Sequence, residues 1–498
     1  MSYALLLSVF IISTCGLVYE LIAGTLASYL LGDSVTQFST IIGVYLFSMG
    51  VGSYLSQFIS KNLIIFFIQV ELLIGLVGGF STSILFLTFE FVSSFRILLY
   101  SFVSITGILV GIEVPILMRI LKSHFEFKDL VSKVFTFDYV GALIASLLFP
   151  LVLVPYLGLV KSAFLFGIIN VLVGIWAIYL FQDQIRWLKT MKATGFLTLS
   201  ILLLGFIFSN NITTIAESIS YQDTVIYSKS SKYQRIVLTK EKDDIRLFLN
   251  GNLQFSSRDE YRYHEPLIHF GMASLKKRES VLILGGGDGL AVREVLKYPE
   301  VKEIVLVDLD PAMTDLFSKN EILKKLNKDA LSSKKLTIIN GDAFIWLKTN
   351  TKKFDFIAID FPDPSNFSVG KLYTDSFYKL IMKSLEDDGA GVIQSTSPYV
   401  ARKSFWCVDS TLKSVGFYTT PYHVYVPAFG DWGYILISKS KFTPKYSYPE
   451  NLLFMNEEVA KTLTIFPADM RIDSKEINKL NNQILVRLFE EEWAKYIH

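Results

Sequence analysis

Cysteine is almost absent: Cys15 and Cys407 are the only two in 498 residues, so no disulfide scaffold can hold the fold. Histidine is nearly as scarce, and His124, His264, His269, His423 and His498 show no metal-ligand spacing with the two thiols. Net charge is missing as well. The 48 basic and 46 acidic side chains leave only +2, which removes any electrostatic argument for nucleic acid as a partner. No period recurs along the chain, and 51% of it is hydrophobic, so collagen-like, repeat and disordered classes are excluded.

The most informative absence is local. Residues 1–180 hold only about 15 charged side chains, roughly 8%, against about a quarter of the remaining 318. A membrane half has been joined to a water-soluble half. Polar breaks divide the first 210 residues into seven apolar runs, near 3–31, 35–60, 62–89, 96–121, 136–157, 159–182 and 194–209. Each is about the 20 residues that an apolar layer of about 30 Å requires. A signal peptide is the alternative for the first run, but no basic residue precedes it and it extends too far. The stretch from Ile12 to Cys15 also resembles a lipoprotein site, although Thr14 is unusual before the cysteine. Four carboxylates interrupt the runs: Glu20, Glu71, Glu113 and Asp138. Each costs at least about 2.5–3.5 kcal/mol at a helix centre, so each is expected to face the bundle interior with a partner, as a helix-joining acid or as a cation site. Glycines 50, 52, 75, 78 and 79 suit close helix packing.

The loop cations fall mostly on one set of connections: Lys61, then Arg119, Lys122, Lys128 and Lys133, then Arg186, Lys189 and Lys192. With seven crossings this pattern puts the amino terminus and these loops inside and the soluble half outside.

From about Tyr221 the apolar period shortens. Strands are expected at 223–228, 234–239 and 245–249, the last before an Asn250-Gly251 hairpin turn. Four further strand-like runs, 281–284, 304–307, 336–339 and 356–359, alternate with helix-length segments. That alternation predicts a doubly wound, mainly parallel sheet with its ligand at the carboxyl ends of the strands. The first run leads into Gly285-Gly286-Gly287-Asp288-Gly289, where glycines let a ligand approach backbone at a helix start. It fails the dinucleotide fingerprint, because Leu290 stands where the third glycine belongs. Asp288 would repel a pyrophosphate, and the loop suits a cationic ligand instead.

Acids follow the other strands too. Asp308 stands where a ribose diol is bound, and Asp342 is placed to accept from an adenine amine. Asp360 and Asp363 follow the fourth strand in Asp-Phe-Pro-Asp-Pro. Any one of them alone reads as a turn or capping aspartate, but a set after four successive strands points to a site.

With Tyr233-Gln234, the Asn250-Gly251 turn, the run Asp259 to Glu265, the glycine loop, Asp308-Leu309-Asp310 and Gly341-Asp342, these residues resemble the polyamine aminopropyltransferases, the family of spermidine synthase. The resemblance covers residues 221–440, and the apolar front half makes the chain similar to the membrane-fused bacterial branch. It implies transfer of an aminopropyl group from decarboxylated S-adenosylmethionine, a co-substrate rather than a cofactor, to an amine such as putrescine, without a metal. It further implies that Gly285, Gly287 and Gly289 hold the donor backbone, Asp288 the sulfonium and ammonium region, Asp308 the ribose and Asp342 the adenine. Gln234, Tyr263 and His264 border the two pockets, Asp360 is the base, and Asp363 anchors the acceptor. Soluble relatives self-associate, so a homo-oligomer is implied; the other partners are the polyamine, the sulfonium nucleoside and the lipid bilayer. In this family the donor is made in the cytosol, which places the catalytic half there, in a multi-pass cell-membrane protein, against the loop charges.

The expected architecture is a multi-pass α-helical membrane domain (1–210), a small β-sheet unit (211–275), an α/β Rossmann-like, methyltransferase-type catalytic domain (276–440) and a helical tail (441–498), amphipathic over 477–497. Phe361, in place of the family's small hydroxyl residue, is expected to narrow the acceptor pocket. The runs 404–407 and 427–433 read as core or as pocket wall. Two alternatives stay open: a methyltransferase using intact S-adenosylmethionine, which Asp288 disfavours by repelling the donor carboxylate, and a non-catalytic polyamine sensor or transport module. For the latter, the four intramembrane acids are the candidates to bind or conduct polyamine.

Overall fold

A computed structural model describes residues 2–31, 34–89, 91–92, 94–122, 125–221, 223–441 and 447–496. His124, His498 and Ile497 lie outside them. Two compact units divide the chain, Met1–Lys232 and Tyr233–His498.

Among the described residues the first unit has seven long helices: α1 (Ser2–Leu31), α2 (Ser34–Ser56), α3 (Leu63–Thr88), α4 (Phe95–Leu121), α5 (Phe127–Leu148), α6 (Gly158–Leu180) and α7 (Leu188–Ser220), followed by strand β1 (Thr224–Ser230). They are apolar around much of their circumference, and α1, α3, α4 and α6 supply most of one buried apolar cluster. Close crossings explain Gly52, Gly75, Gly78 and Gly79, but not Gly50, whose Cβ would meet nothing within 4 Å: a Cβ on Gly52 would lie 2.0 Å from the Ile108 carbonyl oxygen, and one on Gly111 2.1 Å from that of Met49. Helix α5 starts earlier than the apolar pattern suggests, because Lys128, Asp129 and Lys133 lie on its solvated first turns. It runs into a π-helical stretch, Phe149–Leu157, which ends at Gly158 with φ 73° and ψ 177°, a conformation suited to glycine. The helical stretch Phe127–Leu180 has 54 residues, roughly 80 Å if straight and far beyond one crossing; α5 and α6 instead both pack on α1. The four acids separate: Glu71 and Glu113 are fully buried and Glu20 nearly so, whereas Asp138 is only half-buried and does not share their core.

The second unit opens with β2 (Arg235–Glu241), β3 (Asp244–Leu249) and β4 (Asn252–Ser256), antiparallel neighbours. The expected turn is there: Asn250 and Gly251 take φ 51° and 81°, and Asn250 Oδ1 accepts from the Arg235 N–H at 2.9 Å. Then follow α8 (Tyr261–Met272), β5 (Ser280–Gly285), α9 (Leu290–Val295), β6 (Glu303–Asp308), α10 (Pro311–Lys319), α11 (Glu321–Leu326), β7 (Leu336–Asn340), α12 (Ala343–Thr349) and β8 (Phe354–Asp360). The chain continues through α13 (Phe367–Gly370), α14 (Asp375–Ser384), β9 (Leu385–Gln394), α15 (Arg402–Val415), β10 (Tyr418–Val426), β11 (Gly430–Ser438), α16 (Glu457–Leu463) and α17 (Ile484–Trp493). The seven-stranded sheet has the order β10-β11-β9-β8-β5-β6-β7. Strands β5 to β9 pair in parallel and the last two antiparallel, a Rossmann-like sheet whose order reverses between β5 and β8, where such sheets bind ligands.

Phe361, 7% exposed, packs into the core with its ring centre 5.8 Å from that of Phe377, and its Cδ1 lies 3.3 Å from where a Cβ on Gly285 would stand. One expectation is corrected. The tail helix is shorter than 477–497, beginning at Ile484; Asn482 Oδ1 accepts from the N–H groups of Lys479 and Ile484 and closes a turn instead. In the run 404–407, Phe405 and Cys407 are core, and Glu492 of α17 caps the start of α15 through the N–H groups of Lys403 and Ser404.

Candidate active site

The carboxyl ends of β5, β6, β7 and β8 bring a set of aspartates to one edge of the sheet. Gly285 pairs with Asp360 in the parallel register, and a Cβ on Gly285 would lie 2.1 Å from the Asp360 carbonyl oxygen. A Cβ on Gly287 would lie 2.7 Å from Asp308 Oδ2. The loop is therefore glycine because two acidic strand ends close on it. Gly289, at φ 77°, starts α9, and Asp288 turns back to accept from the Leu290 N–H at 2.9 Å. Burial raises the Asp288 carboxyl, opposed mainly by His264.

Asp308 accepts from the N–H groups of Gly287 at 3.0 Å and Asp310 at 2.9 Å. Burial nevertheless pushes it up to about 6. Gln234 reaches this end indirectly, donating to Asp310 Oδ2 at 3.0 Å. Asp342 is committed twice over. Its Oδ1 caps α12 through the Phe344 N–H at 2.8 Å, and its Oδ2 meets Lys371 Nζ at 2.6 Å. Burial would raise it, but Lys371 and the capping N–H groups outweigh that and hold it below the usual range. An amine that used Asp342 would share Oδ2 with Lys371 or displace it.

At the end of β8, Asp360 Oδ1 accepts the Tyr263 hydroxyl at 2.5 Å. Burial pushes Asp360 up to about 6, with His264 opposing and Asp288 adding. The Tyr263 ring is wedged beside Tyr434 and Phe429, with centroids at 5.6 and 6.2 Å. Asp363 is held by Gln394 Nε2 and the Thr396 hydroxyl, each at 3.1 Å, and burial raises it to about 7.

Arg293 and Thr396, which the sequence did not single out, complete the frame with Glu260 and His264. Glu260 binds the Arg293 guanidinium through both oxygens, at 2.8 and 2.9 Å, and accepts from His264 Nδ1 at 2.9 Å. Burial alone favours a neutral ring, but Glu260, with Asp288 and Asp360, raises His264 to about 9. The ring is therefore a cation at neutral pH among the acids. The spacing of Glu260 and His264, one helical turn, was the readable signal. Thr396 stands at φ 57°, unfavourable for a β-branched residue; backbone strain of this sort collects at functional sites, and here it puts the hydroxyl on Asp363.

Chemically the edge is acidic, with His264, Lys371 and, behind Glu260, Arg293 as its counter-charges. It suits ligands that bring positive charge and can compete for those acids. Asp360, raised by burial and with Tyr263 fixing one of its oxygens, is an acid that can take a proton there.

A family model described as Spermine/spermidine synthase domain matches residues 260–447. The chain is 52% identical to a polyamine aminopropyltransferase of Leptospira interrogans over all of both sequences. It is 50% identical to polyamine aminopropyltransferase 2 of Ralstonia nicotianae over 98% of each. A crystal structure of spermidine synthase in complex with the transition state analogue AdoDATO is 28% identical, covering 49% of this chain and 85% of that one, with a TM-score of 0.45.

Proposed function

This chain belongs to the polyamine aminopropyltransferase family, and from that membership we infer how its own residues share out the reaction. The protein moves the aminopropyl group of decarboxylated S-adenosylmethionine to an amine such as putrescine, giving spermidine and methylthioadenosine. In our reading Asp308 holds the ribose hydroxyls, Asp342 the adenine end, and the loop of Gly285, Gly287 and Gly289 the donor backbone. Asp288 faces the donor's positive charge. Asp363 anchors the far ammonium of the acceptor, while Gln234 acts by steadying Asp310 and His264 by balancing charge at the mouth. The acceptor nitrogen attacks the methylene beside sulfur, the carbon–sulfur bond breaks with its electron pair going to sulfur, and the nitrogen's proton passes to Asp360.

The observation that carries this reading is the raised Asp360, gripped by Tyr263 at 2.5 Å in a mouth of carboxylates. The sign of its pH dependence follows. Asp360 and Asp363, lifted to about 6 and about 7, are anionic only above those values. As pH falls through that window the base and the anchor are both protonated. We expect kcat/KM for the acceptor to fall below pH about 7 with a limiting slope above one, since it reports groups of the free enzyme. An acidic limb with a single pKa near 4 would reject the assignment.

We further infer that residues 1–210 form a transmembrane domain of seven crossings, with 211–275, 276–440 and 441–498 as sheet unit, catalytic domain and tail, and the lipid bilayer as a partner. The catalytic unit is placed on the cytoplasmic face of the cell membrane, where the donor is made. Several loop cations that argue for the reverse have local structural uses. Arg119 donates to the Ser56 and Ile59 carbonyls, each at 2.7 Å, at the end of α2, and Lys192 lies 4.2 Å from the Tyr179 ring centre. Cys15 and Cys407 are both buried, so a single cysteine introduced near the carboxyl terminus can be read cleanly. It is expected to resist an impermeant maleimide in intact cells and to react after lysis; full reaction in intact cells would reverse the orientation.

A further inference from the structure

The helical unit contains a polar chain that aminopropyl transfer does not use. Tyr19 on α1 donates its hydroxyl to Asn170 Oδ1 on α6 at 3.1 Å, and Asn170 Nδ2 donates to Glu71 Oε2 on α3 at 2.9 Å. Glu113 on α4 is near enough to Glu71 for the two acids to influence each other. Four helices thus converge on one point, and the four side chains are 5%, 1%, 0% and 1% exposed in the order Tyr19, Asn170, Glu71, Glu113. Glu71 stands eight residues after the start of α3, and Glu113 eight before the end of α4. At 1.5 Å per residue both lie about 12 Å in from the same end of these consecutive helices, close to the middle of an apolar layer of about 30 Å.

The chain does not close on itself. Glu71 Oε1 and both oxygens of Glu113 meet no hydrogen-bond donor among the described residues. Leaving such groups unpaired in an apolar interior is costly. One proton shared between the two acids supplies a donor for a single contact, engages two of the three oxygens and leaves the third bare. A primary ammonium group carries three N–H donors and a positive charge, matching three orphan acceptors on two acids. A hard divalent cation fits less well, since it takes about six or more oxygen ligands. Among the described residues no group of three or more His, Cys, Asp or Glu is arranged to hold one. A second feature adjoins Tyr19. A cavity of ≈ 20 Å³ is lined by Tyr19, Tyr45, Thr82 and Thr106, room for one water-sized group, and the 99%-buried Thr82 hydroxyl there also lacks a partner.

We propose that Glu71 and Glu113, steadied by Asn170 and Tyr19, bind a primary ammonium group inside the helical bundle, so that the protein holds an amine at a second site. The placement at mid-depth rests on the transmembrane reading; the ligand class rests on the three open oxygens alone. Full-length protein in lipid nanodiscs is treated with dicyclohexylcarbodiimide, an apolar reagent that converts buried carboxylic acids to stable N-acylureas, and modification is quantified residue by residue by peptide mass. Spermidine and methylammonium are each expected to slow modification of Glu113 by roughly tenfold at ten times their Kd. Tetramethylammonium, which has the charge but no N–H, and K⁺ are expected to have no effect. Glu113→Gln should abolish amine protection of Glu71. Equal rates with and without spermidine and methylammonium, or equal slowing by tetramethylammonium or K⁺, would overturn the proposal in favour of a proton-sharing acid pair or an unselective cation site. Because the readout is at Glu113 itself, loss of spermidine synthesis with protection intact would count against the catalytic roles alone.

Discussion

Asp360→Asn is expected to lower kcat by roughly 10³-fold, within the range that a positioned general base contributes, while leaving donor affinity within a few fold. The argument is one of proton affinity. An alkylamine has a pKa near 10 and an aspartate in water near 4, so direct transfer is uphill by about six units, roughly 8 kcal/mol. Burial lifts Asp360 to about 6, narrowing the gap by about two units, on the order of 3 kcal/mol. Desolvation of the acceptor's ammonium on entering the same mouth narrows it further, and alignment of nitrogen with the methylene carbon adds proximity. Asparagine keeps the shape and can still meet the Tyr263 hydroxyl, but it cannot take the proton. Tyr263→Phe, which frees Asp360 Oδ1 without removing the carboxylate, is expected to cost far less. Turnover of Asp360→Asn within tenfold of the parent, measured by methylthioadenosine release at saturating substrates, would reject Asp360 as the base.

The second large effect is structural. Arg293, 9% exposed, neutralises Glu260 through two hydrogen bonds and Glu294 through Nε at 2.9 Å, and donates to the Leu326 carbonyl at 2.9 Å. Replacing it with methionine leaves Glu260 buried, with only His264 as a counter-charge. Removing one partner of a buried ion pair costs about 3–5 kcal/mol, so Arg293→Met should destabilise the catalytic unit by about that much. Amide hydrogen exchange in α8 and α9 is the suitable measure, because it reads this unit apart from the helical one. The double variant Arg293→Met, Glu260→Gln should recover part of the loss, since no lone carboxylate remains. Unchanged protection of both helices in Arg293→Met would contradict the account.

The legible part of the fold was the part written in apolar runs. Strands β5 to β8 each announce themselves by three or more aliphatic or aromatic residues with a helix-length interval, and the aspartates at their ends could be seen as a set. Strands β9 and β10 are hidden for a physical reason: Glu386, Asp387, Asp388 and Gly389 break the pattern of β9, while Pro421 and His423 disguise β10; β11, with an unbroken apolar run from Tyr434 to Ile437, was legible and was not read. The site was readable wherever one residue type at one strand end carries the role. It was not readable where distant residues share a load. Glu260 and His264 lie a turn apart, but Arg293 joins them from 33 residues away; Lys371 closes on Asp342 from 29 away; and the positive φ of Thr396 has no signature in a threonine. Phe361 is buried as strand periodicity predicts, and its ring still lies beside the glycine loop.

The most direct test is to incubate purified full-length protein with decarboxylated S-adenosylmethionine and putrescine, and to weigh the products. Spermidine and methylthioadenosine in equal amounts is the expected result, with no product when intact S-adenosylmethionine is supplied instead. Methylated putrescine from the intact donor, or no new amine from either donor, would contradict an acidic mouth built to let nitrogen displace sulfur.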